Sequence, residues 1–175
     1  MAYPPAAVAN AFLDLARSHH EPLDPMKVQK LVYFAHGWHL GRDAGPLISE
    51  PIEAWDYGPV VPTLYRDLKR YGAGAITEHL KEFEPKADGG FRFVAPTVTD
   101  AVEMNFLGRI WEVYGNLSAT QLSAMTHQPG TPWTTVRQQN PSARGAVIPD
   151  ELMKVYFKRL AASNAQRLAA TSASR

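Results

Sequence analysis

Asp24-Pro25-Met26-Lys27-Val28-Gln29-Lys30-Leu31-Val32-Tyr33-Phe34-Ala35-His36-Gly37-Trp38-His39-Leu40 is the stretch on which the fold turns. Asp24 is a good N-cap, because its short carboxylate can accept from backbone N–H groups that the first turn leaves open. Pro25 suits the first helical position, where its missing N–H is not needed. Val28, Leu31, Val32, Ala35, Trp38 and His39 then recur at i, i+3, i+4 spacing, which predicts a helix with an apolar stripe. Lys27 and Lys30 read as part of a solvated outer face. The segment from Gly41 to Pro46 ends the helix.

On the N-terminal side, Pro5 opens a first helix carrying Val8, Phe12, Leu13, Leu15 and Ala16, closed by His19-His20. On the C-terminal side, Ile48 to Tyr57 alternates apolar with polar residues. Pro51 interrupts it, which predicts a short edge strand. Gly58-Pro59 reads as a turn. Pro62 starts a third helix through Leu64, Tyr65, Leu68 and Tyr71, ended by Gly72. Residues Ala75 to Phe83 read as a short helical piece or an irregular connection. Asp88-Gly89-Gly90 is a turn before a short strand, Phe91-Arg92-Phe93-Val94. The two predicted strands are expected to pair as a small antiparallel sheet held against helices.

Thr99 or Asp100 caps a fourth helix through Val102, Phe106, Leu107, Ile110, Trp111 and Tyr114. Ser118-Ala119-Thr120-Gln121 has the form of a capping box. Thr131-Pro132 repeats the cap-then-proline signal. Pro149-Asp150 opens the last helix with Leu152, Val155, Tyr156, Phe157 and Leu160 on its apolar face. The expected architecture is mainly α (α+β): one domain of about six helices with a small antiparallel β element, over residues 1–160. An Ala/Ser/Arg-rich tail over 161–175 is expected to fray or be disordered.

Composition narrows the function classes. The 175 residues include 18 Lys+Arg and 17 Asp+Glu, a formal charge of +1. Such a balance gives no strong field toward nucleic acid or an acidic membrane. Cysteine is absent, so disulfides, thiolate nucleophiles and Cys-ligated zinc are excluded. No stretch approaches the ~20 apolar residues of a membrane span. Met1-Ala2-Tyr3-Pro4-Pro5 does not read as a signal peptide. A cytoplasmic protein is expected.

The chemistry-bearing residues form no convincing catalytic set. His36 and His39 lie at i, i+3 on one helix and could share an ion, but no third ligand follows in an H-E-x-x-H pattern. The plainer reading has His39 half-buried in a helix interface and His36 exposed or bonded to backbone. Ser49, Ser118 and Ser123 lack a G-x-S-x-G elbow. No glycine-rich phosphate loop is present. Arg66, Lys69 and Arg70, with Lys27 and Lys30, and Lys154, Lys158 and Arg159, could contact phosphates, or could decorate outer helix faces. No metal and no cofactor is expected.

What remains is Glu53-Ala54-Trp55-Asp56-Tyr57-Gly58-Pro59-Val60-Val61-Pro62-Thr63-Leu64-Tyr65, a run that reads as a shape rather than a reaction centre. At a strand position Trp55 reads first as core. Trp and Tyr also anchor protein interfaces, bringing large contact area at small entropy cost. Trp38, Trp55, Tyr57, Gly58, Pro59, Val60, Pro62 and Tyr65 are therefore the candidate residues, as fold signature, as partner contacts or as both.

Lys27 to Leu40, Pro46-Leu47, Glu53 to Pro62, Tyr65 and Tyr71-Gly72 together closely resemble the Panacea domain of phage-associated, GepA or SocA-like proteins. The resemblance is densest over about Leu23 to Ile76 and looser over Ser118, Thr131-Pro132 and Ile148–Phe157. It implies an antitoxin of a toxin–antitoxin system that neutralises a cognate protein toxin by direct contact. It further implies a cellular protease as a second partner, to which some members hand their toxin. It does not imply an enzyme. The family often has Gln where this chain has His36, which weakens the metal reading. The segments outside the resemblance are short, so no large additional recognition domain is expected. A metal-dependent hydrolase using His36 and His39, and a nucleic-acid-binding autorepressor, stand as alternatives. Self-association into a homo-oligomer is compatible with all three.

Overall fold

The computed structural model describes residues 1–173. At its centre is helix α2 (Pro25–Gly41), with the Asp24 carboxylate accepting from Lys27 N at 2.9 Å. The predicted stripe understates its burial. Residues on every side of α2 are buried, Lys27, Gln29, Lys30 and His36 included, as expected of a helix enclosed by a core. Helices α1 (Pro5–Ser18), α4 (Ala101–Tyr114), α5 (Ala119–Thr126) and α7 (Asp150–Ala173) surround it, together with a small sheet. Lys27 and Lys30 are accordingly not surface residues. Each ammonium is carried inward and donates to a carbonyl, Lys27 to Gly115 O at 2.5 Å and Lys30 to Pro59 O at 3.0 Å.

The closest helix packing is α2 on α7. Gly37 and Gly41 present no Cβ toward Phe157: a Cβ on Gly37 would lie 2.1 Å from the Phe157 ring, and one on Gly41 would lie 2.8 Å from Phe157 Cβ. The fully buried Phe157 ring sits among Tyr33, Phe34, Trp38 and Tyr156 at centroid distances of 6.0, 6.4, 5.2 and 5.2 Å. Phe34 stacks on Tyr114 at 4.5 Å, and Trp38 Nε1 donates to Tyr114 Oη at 2.7 Å. Offset and edge-on aromatic contacts of this kind add to the burial energy of each ring.

Strands β1 (Ile52–Trp55), β2 (Gly58–Val60) and β5 (Ala146–Ile148) form an antiparallel sheet in the order β2-β1-β5. Three expectations are corrected here. The strand around Ala54 is central rather than an edge, because Pro51 precedes β1 and its missing N–H falls outside the ladder. The turn is Asp56-Tyr57, with Trp55 opposite Gly58, so Gly58 and Pro59 belong to β2. Pro59 is tolerated there because β2 is an edge strand. Finally, β4 (Phe91–Val94) does not pair with β1. It joins β3 (Glu82–Pro85) as a separate two-stranded ribbon, while β5 takes the β1 edge.

The remaining elements follow their local signals. Helix α3 (Pro62–Leu68) runs into a 3-10 turn, Lys69–Tyr71, closed by Gly72 at φ +56°. Of the two candidate caps for α4 it is Asp100 that accepts from Val102 N and Glu103 N. Ser118 and Gln121 make the expected reciprocal capping box on α5, and Thr131 caps α6 (Pro132–Gln139). The described residues thus hold seven α-helices against the six or so expected, in a mainly α fold with small antiparallel sheets. From residue 161 the chain continues α7 as helix, exposed through residue 171. Ser174 and Arg175 lie outside the described residues. No helix among them is long and apolar enough to cross a membrane.

Candidate partner-binding groove

A groove of about 660 Å³ opens between the first turns of α2, the β1–β2 hairpin, α3 and the loop before β5. Met26, Gln29 and Lys30 come from α2, Glu53, Trp55, Asp56, Tyr57 and Val60 from the hairpin, Tyr65 and Lys69 from α3 and the turn after it, and Arg144 and Gly145 from the loop.

The hairpin is fixed by its backbone and free in its side chains. Ser123 Oγ donates to Tyr57 O at 3.1 Å, Trp133 Nε1 donates to Trp55 O at 2.8 Å, and Arg137 pairs with Asp56 at 2.9 Å. Helices α5 and α6 therefore brace the turn from behind. In front, Tyr57 is 81% exposed and Tyr65 46% exposed. The Trp55 and Tyr65 rings meet edge-on at 4.9 Å, and Trp55 Nε1 donates to Glu53 Oε2 at 2.7 Å. Trp55 is half-buried. It is a wall of the groove rather than the core residue its strand position suggested, because it shares the less buried face of β1 with Glu53 while Ile52 and Ala54 take the buried face.

Gly58 meets two requirements at once. Its φ is +108°, and a Cβ would lie 2.8 Å from Lys30 Nζ and 3.0 Å from Thr126 Oγ1. It leaves room for the ammonium of Lys30, a lining residue of the groove that is only 1% exposed. Loss of hydration disfavours that charge, and burial lowers the Lys30 pKa from 10.5 to about 8.

The candidate residues divide cleanly. Trp55, Tyr57, Val60 and Tyr65 line the groove; Gly58 and Pro59 are buried in β2 behind it; Pro62 is the first residue of α3. Trp38 lies elsewhere, in the aromatic cluster around Phe157. Sequence reasoning missed Met26, Gln29, Lys30 and Arg144 as lining residues. Basic character flagged Lys30, but the assumed outer face hid its direction.

The two histidines serve different neighbours. His36 Nδ1 accepts from Leu47 N and Ile48 N at 3.3 Å each, which places the proton on Nε2, 3.1 Å from Asp150 Oδ1. His39 Nδ1 donates to Gly45 O at 2.6 Å; its Nε2 lies 3.2 Å from Glu103 Oε2, out of line for a hydrogen bond. Both rings are buried: His36 is bonded to backbone, the second of its two readings, while the half-buried reading of His39 does not hold. Among the described residues no group of three or more His, Cys, Asp or Glu is placed to share a metal ion. Of the candidate phosphate contacts, Lys154 and Lys158 both pair with Asp43, at 3.1 and 2.7 Å, and the hydrogen bonds donated by Lys158 and then Lys154 hold the Asp43 carboxyl below its ordinary pKa.

A second aromatic surface was not anticipated. The β3–β4 register sets Phe83 opposite Phe93 and Pro85 opposite Phe91, so these four share one face of the ribbon. The three phenylalanines are 64–69% exposed, with Phe83 4.2 Å from Phe93 and 6.4 Å from Phe91. Glu84 and Arg92 pair on the opposite face.

The fold is thus that of a mainly α single-domain protein with two exposed aromatic surfaces, one of them a groove with a buried lysine in its wall. A profile of the family described as "Antitoxin SocA-like, Panacea domain" matches residues 28–134, and the chain belongs to that family. Antitoxin SocA of Caulobacter vibrioides (strain NA1000 / CB15N) is 33% identical over 155 residues, covering 87% of this chain and 81% of that protein. No solved structure matches the chain significantly. Membership supports an antitoxin role and, in general terms, a toxin as partner.

Proposed function

We propose that this protein is a cytoplasmic antitoxin that neutralises a cognate protein toxin by direct binding, without catalysis, and that the groove of Trp55, Tyr57 and Tyr65 is where the toxin docks. The carrying observation is the placement of the family's aromatic run: its backbone is braced by α5 and α6 while Tyr57 and Tyr65 stand in solvent. Rigid, exposed aromatics beside a concave surface are typical interface anchors.

Co-expression with the product of the neighbouring gene tests this reading. Rescue of growth and a complex stable on size exclusion are expected. Tyr57→Ala is the informative variant. Its ring is exposed, so stability should stay within about 0.5 kcal/mol, while loss of an interface anchor should weaken the toxin complex about tenfold or more. A variant that binds and rescues as well as the wild type would remove the groove from the reading.

Delivery of the toxin to a protease requires two docking surfaces at once. The Phe83–Phe91–Phe93 face shares no residue with the groove lining, and it supports that extension. Phe83→Ser with Phe93→Ser should change stability by no more than about 1 kcal/mol, since surface substitutions rarely do more. The double variant should leave toxin binding intact and lengthen the toxin's half-life in cells; an unchanged half-life would argue against delivery through this face.

A further inference from the structure

We infer that the groove is built for an acidic segment of its partner, one that sets an apolar side chain against Trp55 and Tyr65 and brings a carboxylate to the side of Lys30, Lys69 and Arg144. This rests on the reading of the groove as the docking surface. Lys30 carries three N–H donors, and the protein accepts one, through Pro59 O at 3.0 Å. The side chains of Lys69 and Arg144, both in the lining, have no hydrogen-bond or ion-pair partner among the described residues. The two carboxylates in the lining are already engaged. Asp56 is neutralised by Arg137, and Glu53 accepts from the Trp55 indole. Three cations therefore face one unneutralised carboxylate, an excess of about two positive charges in a chain whose total is +1.

A carboxylate suits this geometry better than a nucleic-acid backbone. Backbone binding draws its strength from many phosphate contacts spread along a positive surface. Here the positive charge is confined to a short groove with apolar walls, which cannot follow a run of phosphates. A single carboxylate can enter, take the open donors of Lys30, and form charge-assisted hydrogen bonds stronger than neutral ones. Lys69 and Arg144, being exposed, would guide the encounter more than they hold the bound state.

The test uses the full chain and three fluorescein-labelled probes: a glutamate-rich peptide with a central phenylalanine, the same peptide with lysine for glutamate, and a mixed-sequence single-stranded oligonucleotide. Fluorescence anisotropy should show binding of the acidic peptide, weakening with salt, and none of the lysine peptide. Lys69→Glu with Arg144→Glu, both exposed, should leave the melting curve in place and weaken acidic-peptide binding about tenfold or more. Equal binding of both peptides, no loss in the double variant, or tighter binding of the oligonucleotide would overturn the inference. The toxin complex separates the two levels. If the charge-reversed variant keeps full toxin affinity while Tyr57→Ala loses it, the acidic-segment inference falls and the groove remains. If both variants keep full affinity, the docking surface itself lies elsewhere.

Discussion

Replacing Phe157 with alanine is expected to lower the free energy of unfolding by about 3–5 kcal/mol, the range for removing a fully buried aromatic ring. In a domain of this size each kcal/mol moves the melting temperature by roughly 2–4 °C, so a shift on the order of 10 °C or more should appear in a circular-dichroism melt. The size follows from where the ring lies. Phe157 is fully buried, touches four other aromatic rings, and occupies the space that Gly37 and Gly41 leave open on α2. Gly37→Ala should also destabilise. Alanine favours a helix over glycine by about 1 kcal/mol, but a Cβ 2.1 Å from a packed ring forces α2 and α7 apart, and overpacking of that kind costs about 1–3 kcal/mol or more. The two substitutions should be strongly non-additive, because truncating Phe157 removes the atoms that the new Cβ would strike. Additive losses would mean that the α2–α7 contact is looser than the structure draws it.

The contrast between those glycines and the helix caps shows what a sequence discloses about this fold. Asp24-Pro25, Ser118 with Gln121, and Thr131-Pro132 are legible in the sequence because a cap is a local interaction between a side chain and N–H groups within one turn. The depth of α2 is not, because burial on all sides depends on α1, α4, α5 and α7 arriving from distant parts of the chain. Lys27 and Lys30 misled for the same reason. A lysine normally marks an exposed face, and only the carbonyls of Gly115 and Pro59, remote in sequence, let these two turn inward. Strand β5 is three residues long and carries no alternation to recognise, so the sequence alone points to Phe91–Val94 as the partner of β1. In the groove, Trp55, Tyr57 and Tyr65 were legible as a shape-making run. The basic side was not, since Lys30, Lys69 and Arg144 are spread over more than a hundred positions of sequence.

Lys30→Met is expected to reverse the usual effect of a core substitution. In the folded protein the Lys30 pKa is about 8, below its ordinary 10.5, because burial strips water from the ammonium. At about 1.36 kcal/mol per pKa unit, keeping the charge inside at neutral pH costs on the order of 3 kcal/mol. The sign follows from proton counting. Between pH 8 and 10.5 the unfolded chain holds its proton while the folded one releases it, so the free energy of unfolding rises with pH across this window and levels off above it. Below pH 8 both states are protonated and the penalty is present in full. Tyr33, Tyr114 and Tyr156 are pushed upward by burial, and they lower stability above pH 10 in wild type and variant alike. The wild-type value minus the Lys30→Met value should therefore climb by about 3 kcal/mol from pH 8 to 10.5 in denaturant titrations, and a flat difference would show that Lys30 carries no such penalty. At neutral pH the variant gains this term and leaves Pro59 O without its donor, a loss of about 1–3 kcal/mol, so it should melt at or above the wild-type temperature. A buried cation that the fold would be at least as stable without is hard to account for by packing alone, since stability is readily increased at sites with no other task. The same variant should bind the acidic peptide more weakly than wild type, and that pairing of unimpaired stability with weaker binding is what a ligand-facing lysine predicts and a purely structural one does not.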